Sequence, residues 1–314
     1  MAYTNQRMAY GETLVELGKT NRNIVVLDAD LCASTMGKLF EQAYPDRHFE
    51  MGIAEANMMS VAAGLSQTGK IPFASSFAVF AAGRAYDQIR QTISIGQLNV
   101  KVVGSSAGLS DFGDGSTHQS VEDIAIMRAI PGMTVICPAD GNEAAAATKA
   151  ISEYHGPVYL RINRNDYENV TPENQAFEIG KLRVLKEGTE VALFATGYMV
   201  HLALKAAKAL EGRVSVKVIN VSTIKPLDAD KVIALCEGVK AVVTAEEHST
   251  VGGLGSAIAE ALRKTRLPMD FVGLNDTFGC SAHNYDELLR YFDLTDERIK
   301  NTILAMVQEP VWHL

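Results

Sequence analysis

The run Met51-Gly52-Ile53-Ala54-Glu55-Ala56-Asn57-Met58-Met59 sets one carboxylate, Glu55, among alanines, methionines and an isoleucine. It follows the strand-like His48-Phe49-Glu50 and leads into Ser60-Val61-Ala62-Ala63-Gly64-Leu65, too apolar and small-residued for an exposed helix face. A carboxyl group at the mouth of such a helix is poorly solvated, a setting in which carboxyls hold or share a proton. The plainer alternative is a capping or salt-bridged Glu.

Outward from this unit the same alternation recurs. Residues 6–19 read as an amphipathic helix, and Ile24-Val25-Val26-Leu27-Asp28 as a short strand buried on both faces. Helix 54–67 leads to strand 71–74, and helix 77–95 to strand 100–104. A glycine-rich loop at 105–119 precedes helix 121–128, and strand 134–137, helix 142–152 and strand 158–162 close the series. Strands alternating with helices predict an α/β fold with a mainly parallel sheet. Residues 163–188 turn polar around Pro172, and a second alternation then runs from 190 to 307. The reading is two α/β domains, 1–168 and a smaller 188–314, with a linker at 169–187, as the length of 314 residues also suggests.

Composition narrows the function classes. The chain is 47% hydrophobic and 21% charged, with a formal net charge of −8 and no basic run, which argues against nucleic acid as a partner. Four cysteines, Cys32, Cys137, Cys236 and Cys280, show no C-x-x-C spacing and fit reduced thiols in a cytoplasm better than disulfides or a zinc site. Residues 1–22 lack a signal-type apolar core, and no apolar run reaches the ~20 residues that span a bilayer. A cytoplasmic protein without a membrane partner is expected.

Several segments can carry chemistry. The loop Ser105-Ser106-Ala107-Gly108-Leu109-Ser110-Asp111-Phe112-Gly113-Asp114-Gly115-Ser116-Thr117-His118-Gln119 is long enough to point to function. Asp114 and His118 are spaced to face one cavity; a glycine turn with an Asp cap and a surface His is the alternative. Phe77 and Phe80, three apart, serve the core more often than a cofactor. Arg161 and Arg164 follow a buried strand at the carboxyl end where open α/β sheets bind ligands. They suit a phosphate or an interface salt bridge. Glu246-Glu247-His248 and Gly252-Gly253-Leu254-Gly255 end a strand and open a helix, whose amino terminus suits either an anion or close backbone packing.

Together these stretches resemble the transketolase family of thiamine-diphosphate enzymes. The matching segments are Gly52-Ile53-Ala54-Glu55, Ser76-Phe77-Ala78-Val79-Phe80, Gly113-Asp114-Gly115-Ser116-Thr117-His118-Gln119, Pro138-Ala139-Asp140-Gly141-Asn142-Glu143 and Arg161-Ile162-Asn163-Arg164. A weaker match continues through Glu246-Glu247-His248 and Asp276-Thr277-Phe278-Gly279. The resemblance implies two three-layer α/β domains: a pyrimidine-binding domain, then the smaller transketolase C-terminal domain. It implies a split enzyme, with the diphosphate and its Mg²⁺ held by a separate N-terminal-type subunit and no metal ligand in this chain. It also implies self-association as a homodimer within an α₂β₂ assembly, acting on sugar phosphates. Glu55 then resembles the glutamate that hydrogen-bonds the aminopyrimidine ring nitrogen, and Phe77 and Phe80 the walls of the pyrimidine pocket. His118 resembles the histidine that assists proton transfer and orients donor oxygens. Asp114 resembles the ligand of a sugar hydroxyl, and Arg164 the arginine that grips the sugar phosphate.

Two positions depart from the family. Ser106 stands where full-length members usually place a substrate-binding histidine, and Gly83 where they often place a tyrosine against the pyrimidine. Both point to a specialised sugar phosphate, such as apulose 4-phosphate, in place of the usual pentose phosphates. Three alternatives stay open. Arg-Ala-Tyr-Asp-Gln at 84–88 is similar to deoxyxylulose-phosphate synthases, although the arginine usual there near 105–108 is lacking. A 2-oxo-acid dehydrogenase beta subunit and a non-catalytic scaffold are the others.

Overall fold

A computed structural model describes residues 5–308; the ends of the two expected domains, 1–4 and 309–314, lie outside the described residues. The described residues form twelve strands: β1 Ile24–Asp28, β2 His48–Glu50, β3 Ile71–Phe77, β4 Lys101–Ser105, β5 Thr134–Ile136, β6 Val158–Arg161, β7 Arg183–Lys186, β8 Val191–Ala195, β9 Val216–Asn220, β10 Thr223–Lys225, β11 Ala241–Ser249 and β12 Met269–Leu274. They build two sheets, ordered β10-β5-β6-β4-β3-β1-β2 and β12-β11-β8-β9-β7. Only β10 and β7, one edge strand in each, run antiparallel to their neighbours. Both units are α/β with mainly parallel sheets, as the alternation predicts.

The two-faced burial of β1 is visible residue by residue. Ile24 and Val26 join a cluster with Tyr10, Leu14 and Phe40. Val25 and Leu27 join another with Met58, Met59, Ala62 and Ala63 from helix Glu55–Gln67. Helices therefore cover both sides, and the carboxyl edge of the parallel strands is where polar groups can gather.

Two local expectations change, and one connection carries helices that the sequence pattern does not announce. The single helix over 77–95 does not form: Phe77 closes β3, and π-helical segments Val79–Arg84 and Ile89–Ser94 flank the short helix Tyr86–Gln88. Buried Ala81, Ala82 and Ala85 let this widened coil lie close to the sheet. Two short helices, Cys32–Thr35 and Gly37–Ala43, occupy the β1–β2 connection. The stretch 169–187, read as a linker, contains β7, whose side chains are all half-buried at the sheet edge. Among the described residues no helix is long and apolar enough to cross a membrane.

The two units interlock through β10, which leaves the second unit to pair with β5. Beside it, Glu143 accepts hydrogen bonds from Ala139 N (2.7 Å), Ser222 Oγ (2.6 Å) and Asn220 Nδ2 (3.1 Å). Its own helix, Gly141–Glu153, is capped by Asp140, which also takes the Val170 and Thr171 amides. Truncating Glu143 strands buried donors on both units. Glu143→Ala should lower the unfolding free energy by about 3 kcal/mol, read from urea denaturation. An unchanged midpoint would show that this carboxyl does not tie the units.

Candidate active site

Glu55 is the first residue of its helix and only 1% exposed. No side chain caps that helix end, so a carboxylate in its first turn also meets the positive end of the helix dipole. Of the two plainer readings, the salt bridge holds: Arg84 Nη1 lies 2.8 Å from Glu55 Oε2. The Arg84 guanidinium also sits 4.6 Å from the centre of the Phe80 ring. Phe80 and Phe77 lie near-parallel with centres 6.2 Å apart, and His118 meets both edge-on, at 5.3 Å from Phe80 and 6.2 Å from Phe77. Arg164 reaches over Phe77 at 5.8 Å and pairs with buried Asp111. An unbroken line of side-chain contacts thus runs from Glu55 to Arg164.

These groups come from separate elements at one sheet edge. Glu55 follows β2, Phe77 ends β3, His118 lies on the loop after β4, and Arg164 follows β6. The π-helical segment carries Phe80 and Arg84 back over the strand ends. His118 Nδ1 is 2.9 Å from Thr117 Oγ1.

Two expected residues stand apart. Asp114 is exposed, and among the described residues no hydrogen bond or ion pair joins its side chain to the line. Ser106 is fully buried at the end of β4, with φ at 52° and a hydroxyl lacking a partner. A left-handed serine with an orphan hydroxyl marks a strained polar spot of the kind that gathers at functional sites. Gly83 is exposed, and no atom lies within 4 Å of where its Cβ would stand, so the room left by a missing side chain is real.

Arg161 and the helix at Leu254 take their plainer readings. Arg161 is buried, with Nε 2.8 Å from Asp123 Oδ2, and donates to the Glu247 carbonyl at 3.0 Å, so it is not free for a phosphate. At helix Leu254–Leu262 the anion place is filled by the chain itself: Glu246 accepts from Leu254 N (2.6 Å) and Gly255 N (2.8 Å). A Cβ on Gly253 would fall 2.0 Å from Glu246 Oε2, which is why glycine stands there.

The segments holding Arg84, Asp111 and Glu247 stand out in the sequence, but nothing there gives these three residues a role of their own. Glu247 reaches from β11 into the first unit, where its carboxylate accepts from Leu109 N at 2.7 Å. Gly108 has φ of 66°, and a Cβ there would lie 2.6 Å from the Glu247 carboxyl carbon. The second unit thereby pins the loop that bears Asp111 and His118. The available signal was a pair of carboxylates inside the otherwise apolar run Ala241-Val242-Val243-Thr244-Ala245-Glu246-Glu247.

Residues 3–169 match the model of the transketolase pyrimidine-binding domain, and residues 180–299 that of the transketolase C-terminal domain. The chain belongs to the transketolase family. It is 46% identical over 314 residues to a putative transketolase C-terminal section of Methanocaldococcus jannaschii, covering 98% of each chain. A 6-deoxy-6-sulfo-D-fructose transketolase subunit of a Clostridium species is 44% identical, over 93% of this chain and 91% of that one. A solved structure described as a split-gene transketolase, an inactive β4 tetramer, superposes with a TM-score of 0.89 at 45% identity, over 96% of this chain and 98% of that one.

In this transketolase chain burial pushes the Glu247 carboxyl up from 4.5 to about 7, with Arg161 opposing. A carboxyl raised in the folded state contributes stability that is complete below 4.5 and is lost as pH rises through about 7. Glu247→Gln should therefore flatten the fall in unfolding free energy between pH 4.5 and 7, by roughly 3 kcal/mol or less. Denaturant midpoints of parent and variant across that window check it.

Proposed function

We propose that this chain is the pyrimidine-binding subunit of a split transketolase. It moves a two-carbon glycolaldehyde unit from a ketose phosphate to an aldose acceptor, breaking the ketose C2–C3 bond and forming the equivalent bond at the acceptor aldehyde carbon. The observation that carries this reading is the buried Glu55 joined through one guanidinium to the Phe80 face. A flat ring with hydrogen-bonding nitrogens, such as the aminopyrimidine of thiamine diphosphate, needs that pair of surfaces. When bound, the cofactor supplies a nucleophilic carbon. Glu55 hydrogen-bonds the ring, while Phe77 and Phe80 wall its pocket and keep water away. His118 takes and returns the sugar hydroxyl proton, and Arg164, with Asp111 beside it, grips the phosphate. Asp114 receives a sugar hydroxyl from its exposed place on the loop.

Among the described residues no group of three or more His, Cys, Asp or Glu side chains is gathered for a metal ion. In this reading Mg²⁺ sits with the diphosphate on a separate subunit. Relatives named as a C-terminal section, a subunit and a split-gene enzyme, each matching nearly end to end, support that division. The inactive β4 tetramer in the solved relative's description supports self-association; in this reading the chain acts only in a mixed complex, α₂β₂ with the chain as a homodimer.

Ser106 and Gly83 set the sugar specificity in this reading, and the donor is a specialised ketose phosphate or sulfosugar. Apulose 4-phosphate and the 6-deoxy-6-sulfo-D-fructose in a relative's name are the first two to assay. The test mixes the purified chain with its diphosphate subunit, thiamine diphosphate, Mg²⁺ and each donor. Glu55→Ala should lower transfer by about 10²- to 10⁴-fold. Intact transfer in that variant would sink the mechanism, and turnover of pyruvate in place of ketoses would favour a deoxyxylulose-phosphate synthase or 2-oxo-acid dehydrogenase role. A complex that binds no cofactor would leave the scaffold reading.

A further inference from the structure

We infer that Arg84 is a stand-in for the cofactor ring, occupying its two contact surfaces until the ring displaces it. The inference rests on the proposed function and adds a residue to it. Guanidinium is planar, delocalised and rich in N–H donors, so it offers a carboxylate and an aromatic face the same kinds of contact as an aminopyrimidine. In this chain it makes both: a 2.8 Å hydrogen bond to Glu55 Oε2 and a stack at 4.6 Å on Phe80. Arg84 holds one carboxylate oxygen, Oε2, and covers one face of Phe80, so a ring that takes that oxygen and that face displaces the guanidinium.

The pair is asymmetric in exposure. The Glu55 side chain is 1% exposed, whereas that of Arg84 is 49% exposed. The carboxylate stands at the start of a helix, whereas the half-exposed arginine ends the π-helical segment Val79–Arg84, with solvent beside it. Without Arg84, Glu55 would be a buried charge with no side-chain partner, a costly state for the cofactor-free chain. Arg84 thus stabilises the empty pocket and competes with the ring for it. Apparent cofactor affinity is reduced by the fraction of chains in which Arg84 has left.

This device gives opposite signs to two measurements. In the full chain assembled with its diphosphate subunit, Arg84→Gln should bind thiamine diphosphate with Mg²⁺ about 3- to 10-fold more tightly in titration calorimetry. The same cofactor-free complex should unfold at lower temperature than the parent. Arg84→Met, which keeps the aliphatic stem over Phe80, should behave alike and guards against a folding defect. Equal or weaker cofactor binding in both variants would overturn the inference, because an arginine that merely braces the pocket, or stays beside the bound ring, loses affinity when removed. A Glu55→Ala complex that binds the cofactor as well as the parent would instead overturn the proposed function, and with it the premise for Arg84.

Discussion

Strand direction is the constraint on which the rest of this molecule depends. Helical crossovers keep β1 to β6 parallel, so their carboxyl ends fall on one edge. With helices on both faces, that edge is where chain segments leave the apolar layers together. Glu55, Phe77, His118 and Arg164 are scattered over more than a hundred residues, yet each ends a strand or lies on the segment that follows one. Their convergence is a property of the sheet before it is a property of any side chain.

The second unit does more than lie alongside. It supplies β10 to the first sheet, donors to Glu143, and Glu247 to the loop between β4 and β5. Buried carboxylates recur at these joins, and each is met by amide or hydroxyl donors. This follows from the cost of stranding either partner away from water. Glu246 obeys the same rule within its own unit, where it satisfies the first amides of helix Leu254–Leu262. An apparent anion site is thereby closed by a residue eight positions upstream of Leu254.

Much of this was legible in the chain. The run Ile24-Val25-Val26-Leu27-Asp28 announced a strand buried on both faces, and alternating clusters on its two sides bear that out. Glu55 at the mouth of an apolar helix was readable because a lone carboxylate among alanines and methionines has few uses. The helix over 77–95 was misread because periodicity does not distinguish an α-turn from a π-turn. β7 was hidden by a polar stretch, since an edge strand needs no continuous apolar run. Arg161 and Arg164 looked alike in sequence; buried Asp123 claims one, while the other reaches the site edge with Asp111.

By itself the sequence determined the α/β alternation, the two-unit layout, the buried Glu55, the neighbouring phenylalanines and the family motifs, because each is written in local pattern. The tertiary structure decided which charges meet. Glu55 and Arg84 are 29 residues apart, Asp111 and Arg164 are 53, and Leu109 and Glu247 are 138. Such pairings depend on where the chain returns in space, and no local spacing encodes them. A buried charge must find its partner through the fold, and here the fold gave Glu55 an arginine.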